Sequence, residues 1–191
     1  MFRFVGGALC LDFVNTSSWT GENTVNDRLT SAEALFAWAS EAKIPGVRKD
    51  GPGHLEPSAS LVEDAHRLRV LLRRILVPLA HREEPLAAAR LAFEREIKRA
   101  LQASHLEPRD ERLALVWPEN AAGRGILERV TWSAFSLVRS PERARALREC
   151  EGSPCGWLFV DTSRNHLRRW CEMRTCGGVA KARAYRERNR V

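Results

Sequence analysis

The sequence predicts a mainly helical protein of the α+β class. A helical domain is expected over residues 1–149, followed by a small module, a β-hairpin plus a helix, over residues 150–191. Two observations lead to this fold class. Apolar residues recur every three or four positions in several long segments before residue 149, which is the spacing that gives a helix one buried face. Four of the five cysteines then fall between residues 150 and 176.

Helices are expected throughout the first part of the chain. Thr30 and Glu33 have the capping-box spacing, in which a hydroxyl and a carboxylate satisfy free amides at a helix start, and they predict a helix over 31–43. A helix is also expected near Pro57, and Ser140 before Pro141 predicts a short helix leading to Cys150. The full set of further helices predicted by periodicity covers 7–16, 57–79, 85–101 and 126–138. In the first of these, the alternation of Leu9, Leu11 and Phe13 also suits a strand.

One strand is expected within the helical domain. Residues 112–117 alternate in the pattern of a short, half-buried strand that ends before Pro118. A strand needs a neighbour for its backbone hydrogen bonds, and Phe2 and Phe4 are the candidate partner.

The charge of the chain is concentrated at its C-terminal end. The net charge is +7, and the residues from Cys150 onward carry nine Lys or Arg against four Asp or Glu. A patch of that sign favours a polyanionic partner, with nucleic acid first and an acidic membrane surface second. No apolar run approaches the roughly 20 residues that span a bilayer, and Asp12 interrupts the apolar opening segment. We therefore expect a cytoplasmic protein without a membrane segment.

The cysteine spacing is the strongest local signal. Cys150, Cys155, Cys171 and Cys176 form two C-x₄-C pairs separated by fifteen residues. Two short pairs of this kind supply the four thiolate ligands of a tetrahedral zinc site. Two disulfides or plain buried thiols are the alternatives, although disulfides need an oxidising compartment. Cys10 stands apart from the cluster and is expected to be a small core residue.

The segments around the cysteines predict a zinc-ribbon or treble-clef-like unit. Residues 157–160 have the pattern of a strand, 161–165 of a turn and 167–170 of the returning strand, after which Thr175 is expected to cap a helix over 176–188. Trp157 and Trp170 are interpreted as the core of this unit rather than as base-stacking residues. A module of about 40 residues buries little surface, so it is expected to be largely unfolded without zinc.

Segments at both ends of the chain also resemble a known family. Residues 155–165 (CGWLFVDTSRN), 169–177 (RWCEMRTCG) and 181–183 (KAR) are similar to the CGNR zinc finger, and residues 9–16 (LCLDFVNT) with the helix near 35–38 resemble the ABATE domain that precedes it. The resemblance covers nearly the whole chain and implies a zinc-binding, stress-related transcription regulator. Gly178 and Val179 stand where the family's signature has Asn and Arg, which puts the family's contribution to nucleic-acid binding in doubt.

Basic residues of the module are the candidate nucleic-acid contacts, with DNA preferred over RNA. Such side chains neutralise phosphates, which makes the affinity fall with salt. The alternative is a solvated helix face beside a zinc centre of formal charge −2. The candidate residues are Arg164, Arg168, Arg169, Arg174, Lys181, Arg183, Arg186 and Arg188.

Two other classes of function are considered, a ligand sensor and an enzyme. In a ligand sensor, Asp12, Asn15 and Thr16 would line a pocket for a small-molecule effector, although these residues also suit capping of the first helix. A homodimer is compatible with a regulator, but no heptad pattern predicts one. An enzyme is not expected, because catalytic motifs are absent from the sequence and a four-thiolate zinc site leaves no open position for a substrate.

Overall fold

A computed structural model describes residues 2–47, 60–109, 111–117 and 123–189, and it confirms the predicted fold class. Within these ranges the chain forms seven α-helices and three two-stranded antiparallel sheets. The helices are α1 (Leu9–Val14), α2 (Ala32–Glu41), α3 (Leu61–Ala80), α4 (Ala87–Gln102), α5 (Arg124–Val138), α6 (Pro141–Arg145) and α7 (Gly178–Arg188). The strands are β1 (Ser18–Thr20), β2 (Asn23–Val25), β3 (His105–Arg109), β4 (Arg112–Val116), β5 (Leu147–Glu149) and β6 (Leu158–Val160).

The helices that periodicity predicts are present, with changes at their ends. The start predicted near Pro57 lies outside the described residues. At α2 the capping residue was predicted one position too early: Ser31, not Thr30, occupies the N-cap, and its hydroxyl accepts a hydrogen bond from the backbone N–H of Ala34 at 3.3 Å. Ser140 caps α6 as expected, accepting from the backbone N–H of Arg143.

The core of the helical domain lies where α1, α4 and α5 pack around α3. The apolar faces that the sequence pattern marks meet there, and burial of those faces stabilises the domain. Phe13 of α1 packs edge to face against Trp38 of α2, with their ring centroids 5.3 Å apart. Leu72 and Leu76 of α3 are fully buried in the same core.

The partner predicted for the strand of residues 112–117 was wrong. β4 pairs with β3, from which only residues 110 and 111 separate it, and neither Phe2 nor Phe4 pairs with it. Closing such a short loop costs far less chain entropy than joining segments about a hundred residues apart. The backbone N–H of Phe2 instead donates to Glu41 at 3.1 Å.

The hairpin predicted within the C-terminal module was also wrong. β6 pairs with β5, on the N-terminal side of Cys150, and not with residues 167–170. The carboxylate of Asp161 explains the difference, because it accepts hydrogen bonds from the backbone N–H groups of Ser163 and Arg168, both at 2.9 Å. These bonds hold the segment after β6 in a compact loop, so it does not return as a strand.

The β5–β6 hairpin belongs to the core of the helical domain. Leu147, Leu158 and Val160 are buried among the helices. The buried side chain of Asn15 holds Leu158 from the α1 side, donating to its carbonyl oxygen at 2.8 Å and accepting from its N–H at 2.9 Å. The predicted boundary after residue 149 therefore falls between the two strands of this hairpin.

No helix in the described part of the chain combines the length and the apolar character that crossing a membrane requires.

Candidate metal centre

Four sulfur atoms meet at the C-terminal end of the molecule. The Sγ atoms of Cys150, Cys155, Cys171 and Cys176 all lie within 4.8 Å of one another. The Sγ of Cys171 is 3.8 Å from that of Cys155 and 3.7 Å from that of Cys176. A tetrahedral zinc ion with Zn–S bonds of about 2.3 Å separates its sulfur ligands by about 3.8 Å. The predicted ligand set therefore has the spacing that zinc requires.

The connection between β5 and β6 and the segment after β6 position these sulfurs. Cys150 directly follows β5 and donates its N–H to the carbonyl oxygen of Trp157 at 2.8 Å. Cys155 lies just before β6, and its carbonyl oxygen accepts from the N–H of Trp19 at 2.9 Å, which ties it to the β1–β2 hairpin. Cys171 follows the loop that Asp161 closes. Cys176 lies within a π-helical turn, Met173–Gly177, that leads into α7.

The hydrogen bonds at the sulfurs suit thiolates. Backbone N–H groups of Cys171 and Gly152 donate to the Sγ of Cys150 at 3.2 and 3.4 Å. Hydrogen bonds from the thiols of Cys155 and Cys171, with these amides, lower the pKa of Cys150 to about 2. A hydrogen bond to the Cys150 sulfur raises the pKa of Cys155 to about 12, and hydrogen bonds to Cys150 and Cys155 together with burial raise the pKa of Cys171. A bound dication supplies the positive charge that lets all four thiols ionise.

Gly152 is required by the close packing of this site, and the sequence analysis missed it. A Cβ atom at this position would lie 2.9 Å from both Cβ and Sγ of Cys176 and 3.4 Å from the Sγ of Cys150. No side chain fits there without moving a ligand. A glycine inside a C-x₄-C pair is the sequence signal that marks such a close approach of backbone to metal ligands.

A small apolar cluster surrounds the metal ligands. Trp157 and Phe159 are buried in it, and Trp170 is partly buried against it. The indole N–H of Trp157 donates to the carbonyl oxygen of Ser17 at 2.9 Å, and the guanidinium of Arg3 lies 5.5 Å from the centre of the Trp157 ring. Both tryptophans thus have the core positions that the sequence predicted.

Cys10 lies outside the metal centre, in the core of the helical domain. Its N–H donates to the hydroxyl of Ser133 on α5 at 3.1 Å. Burial raises the pKa of its thiol to about 12, so this cysteine stays protonated and apolar.

The cap predicted at Thr175 was wrong. The helical segment begins earlier, with Glu172 at its N-cap, and the hydroxyl of Thr175 donates to the carboxylate of Glu172 at 3.3 Å. Cys176 therefore lies about one turn inside the helical segment rather than at its first residue. Gly178 and Val179 are exposed at the start of α7.

One of the predicted nucleic-acid contacts is a structural residue. Arg168 donates from Nε to the carbonyl oxygen of Trp170 at 2.9 Å and from its guanidinium to that of Cys171. Its guanidinium also lies 4.3 Å from the centre of the Phe159 ring. These contacts brace the chain at the metal ligand Cys171, so Arg168 has a structural role that the sequence analysis did not predict.

The other seven predicted cations are exposed, and they differ in their partners. Arg169 forms an ion pair with Glu151, and Arg183 forms one with Glu187 at 2.9 Å. Arg186 donates to the carbonyl oxygen of Ala182 and has no ion pair within the described residues. The remaining four, which likewise have no ion pair within the described residues, are Arg164, Arg174, Lys181 and Arg188.

The structure separates the residues proposed for an effector pocket: Asp12 lines a cavity beside Leu9, whereas Asn15 and Thr16 are buried. Asn15 is engaged with Leu158, and Thr16 donates to the carbonyl oxygen of Phe13 at 2.7 Å while accepting from Arg69 at 3.0 Å. Asp12 accepts from the N–H of Gly6 at 2.8 Å. These side chains serve hydrogen bonds within the fold, and the one from Thr16 satisfies a carbonyl oxygen of the first helix, as the capping alternative predicts.

The fold and the cysteine cluster together define a zinc-binding protein with a helical N-terminal domain. Comparison with known families agrees with this definition: residues 146–189 match the CGNR zinc finger, and residues 7–141 match the ABATE family, described as "Putative stress-induced transcription regulator". The second match spans more than half of the chain, so the protein belongs to the ABATE family and carries a CGNR zinc finger at its C-terminal end. No curated protein sequence matches the chain.

Proposed function

We propose that this protein is a zinc-containing transcription regulator that binds nucleic acid, DNA in preference to RNA, through α7 and the adjoining zinc module. The observation that carries the proposal is the exposure of α7. None of its residues is buried, and it carries four Lys or Arg side chains. A helix without a buried face contributes little to stability, so its basic composition is best explained by a polyanionic partner.

The arrangement of charge on α7 supports a contact with a phosphate backbone. Lys181 and Arg188 are seven positions apart and Tyr185 lies between them, so the three side chains share one face of the helix. Arg183 lies on a different face, where its charge is offset by Glu187. Arg174, just before α7, adds a further exposed cation. The face of Lys181 and Arg188 is therefore the expected contact surface.

The zinc ion has a structural role in this proposal. Its four thiolate ligands give the centre a formal charge of −2, so they reduce the positive charge of the module without abolishing it. They also leave no open coordination position for a substrate, and for this reason we assign no catalytic activity to the protein. A cytoplasmic location is part of the same proposal, because reducing conditions keep four free cysteines available to the metal.

A salt titration of nucleic-acid binding tests the proposal. The affinity of the wild-type protein for duplex DNA should fall linearly on a log–log plot as salt rises, and the slope should decrease by about 0.9 for each phosphate contact removed. In the triple variant Arg174→Ala, Lys181→Ala, Arg188→Ala, we expect weaker binding to all duplex sequences and a shallower slope. Fluorescence anisotropy with labelled duplex DNA and duplex RNA measures both quantities.

A matched triple variant in the helical domain is the control. Arg90, Arg95 and Arg112 are exposed arginines outside the module, and their replacement by alanine removes the same total charge. An equal loss of affinity in the two triple variants would reject α7 as the contact surface. Tighter binding to RNA than to DNA would reject the stated preference and leave the surface assignment in place.

A further inference from the structure

A cavity lies between three helices of the helical domain, away from the metal centre. It has a volume of about 330 Å³ and is bounded by α3, α4 and α5. Leu68, Leu71 and Leu127 supply apolar surface, and the hydroxyl of Thr131 on its wall donates to the carbonyl oxygen of Leu127 at 2.9 Å. The cavity therefore combines an apolar wall with polar groups, as small-molecule sites do.

The charged groups around this cavity are paired, with one exception. Arg124 forms an ion pair with Asp64 at 2.6 Å, and Arg67 pairs with the other oxygen of the same carboxylate. Arg99 pairs with Glu96 at 3.0 Å. The remaining charged residue of the lining, Glu128, has no ion pair within the described residues.

Glu128 is buried and incompletely hydrogen-bonded. Its residue is 7% exposed, and its Oε2 atom has no hydrogen-bond partner in the described part of the chain. Burial raises the pKa of this carboxyl group, and the nearby charges of Arg124, Arg129 and Arg99 only partly oppose that effect. Burying a carboxylate whose hydrogen bonds are incomplete is costly, and a ligand that donates a hydrogen bond and brings positive charge lowers that cost.

We infer that this cavity is a binding site for a small organic cation, an amidinium or alkylammonium group attached to an apolar body. The cationic group pairs with the carboxylate of Glu128, and the apolar body contacts Leu68, Leu71 and Leu127. An anion is disfavoured because the guanidinium groups of the lining are already held by Asp64 and Glu96. The site is independent of the proposed nucleic-acid surface.

Calorimetric titration of the full-length, zinc-loaded protein with benzamidine tests this site. Benzamidine carries an amidinium group on an apolar ring, and benzamide has nearly the same shape without the charge. We expect saturable binding of benzamidine to the wild-type protein and binding at least about tenfold weaker for benzamide. In Glu128→Gln, which keeps the shape of the side chain, the affinity for benzamidine should fall by about tenfold or more.

The control variant is Glu94→Gln, on the same helix as Glu96 but exposed and outside the cavity lining. It should bind benzamidine like the wild-type protein. Amide chemical shifts of the wild-type protein provide a readout that does not depend on any variant folding, and benzamidine should shift signals from the cavity-facing parts of α3, α4 and α5. No saturable binding at millimolar benzamidine, equal affinity for benzamide, or shifts confined to other regions would overturn the inference.

Discussion

The β5–β6 hairpin and α7 adjoin different ligands of the same metal centre, and different forces hold them. The hairpin is buried among the helices of the N-terminal domain, and Asn15 fixes its backbone. No residue of α7 is buried, and this helix reaches the rest of the molecule through the turn that contains Cys176. Apolar burial therefore stabilises one half of the zinc module, while metal coordination must stabilise the other. A zinc module is thus not one unit of stability.

Removal of zinc should separate the two halves most strongly. In Cys171→Ser, or in wild-type protein treated with a chelator, we expect loss of stoichiometric zinc. Bound zinc contributes on the order of 10 kcal/mol to the stability of small zinc modules, so the part of the chain that depends on it should unfold. Hydrogen exchange should then become fast from Cys171 through α7 and remain slow in α3, α5 and β6. This expectation revises the sequence-based prediction that the whole module unfolds without zinc.

Cys10→Ala is the control for the zinc experiment, because this buried cysteine is remote from the cluster and the variant should retain one zinc per chain. Loss of protection throughout α3 and α5 after zinc removal would show that the comparison between the two halves fails. Unchanged hydrogen-exchange protection of α7 after zinc removal would also contradict the comparison.

Truncation of Leu158 should produce the next largest effect. This side chain is fully buried in the core of the helical domain although it belongs to the zinc module. Leu158→Ala should lower the free energy of unfolding of the whole chain by about 2–5 kcal/mol, the range for buried leucines. Val179→Ala, at an exposed position of α7, should change it by less than about 0.5 kcal/mol. Urea unfolding measures both values, and similar effects in the two variants would contradict a core shared by hairpin and helices.

The smallest expected effect concerns the contact between the N-terminal segment and β6. Asp12 accepts from the N–H of Gly6, whose carbonyl oxygen accepts from the N–H of Val160. Burial raises the pKa of Asp12 to about 6 from the ordinary value of 3.8. The folded state therefore holds this proton more tightly, and stability falls as the pH rises from about 4 to about 6.

Asp12→Asn should remove this penalty while keeping an acceptor for Gly6. We expect the free energy of unfolding to increase by about 1–2 kcal/mol at pH 8 and to change little near pH 4. Urea unfolding at the two pH values checks the sign. An equal effect at both would mean that ionisation of Asp12 is not the cause.

The sequence predicted the metal ligands and the long helices because both have a local signal. Two short cysteine pairs suffice to identify a ligand set, and the three-to-four residue spacing of Ala65, Leu68 and Leu72 suffices to identify a buried helix face. β5 was missed because it has three residues, directly after a short helix, which is too few to show an alternating pattern. Its partner was misassigned because the loop closed by Asp161 resembles a hairpin turn.

The roles of individual arginines were harder to predict. Arg168 binds carbonyl oxygens of Trp170 and Cys171, and backbone acceptors leave no mark in a sequence. Arg73 is another example: it is buried on α3 and donates to the carbonyl oxygen of Gly156 at 2.7 Å and to Glu149 at 2.6 Å. A basic residue near a metal site can either bind the protein's own backbone or contact a phosphate group, and only the fold distinguishes these two roles.

The β5–β6 hairpin has one strand on each side of the predicted domain boundary, and this limits where the chain can be cut. A chain ended at residue 149 would keep β5 but lose its hydrogen-bonding neighbour, and the side chains of Leu158 and Val160 would be missing from the interior. The truncated protein should expose an unpaired strand edge and an apolar cleft, which together promote aggregation. The zinc finger therefore cannot be moved to another protein as a fragment that begins at its first cysteine. A functional fragment has to include residues from about 146 onward, together with the surface of α1 that contacts them.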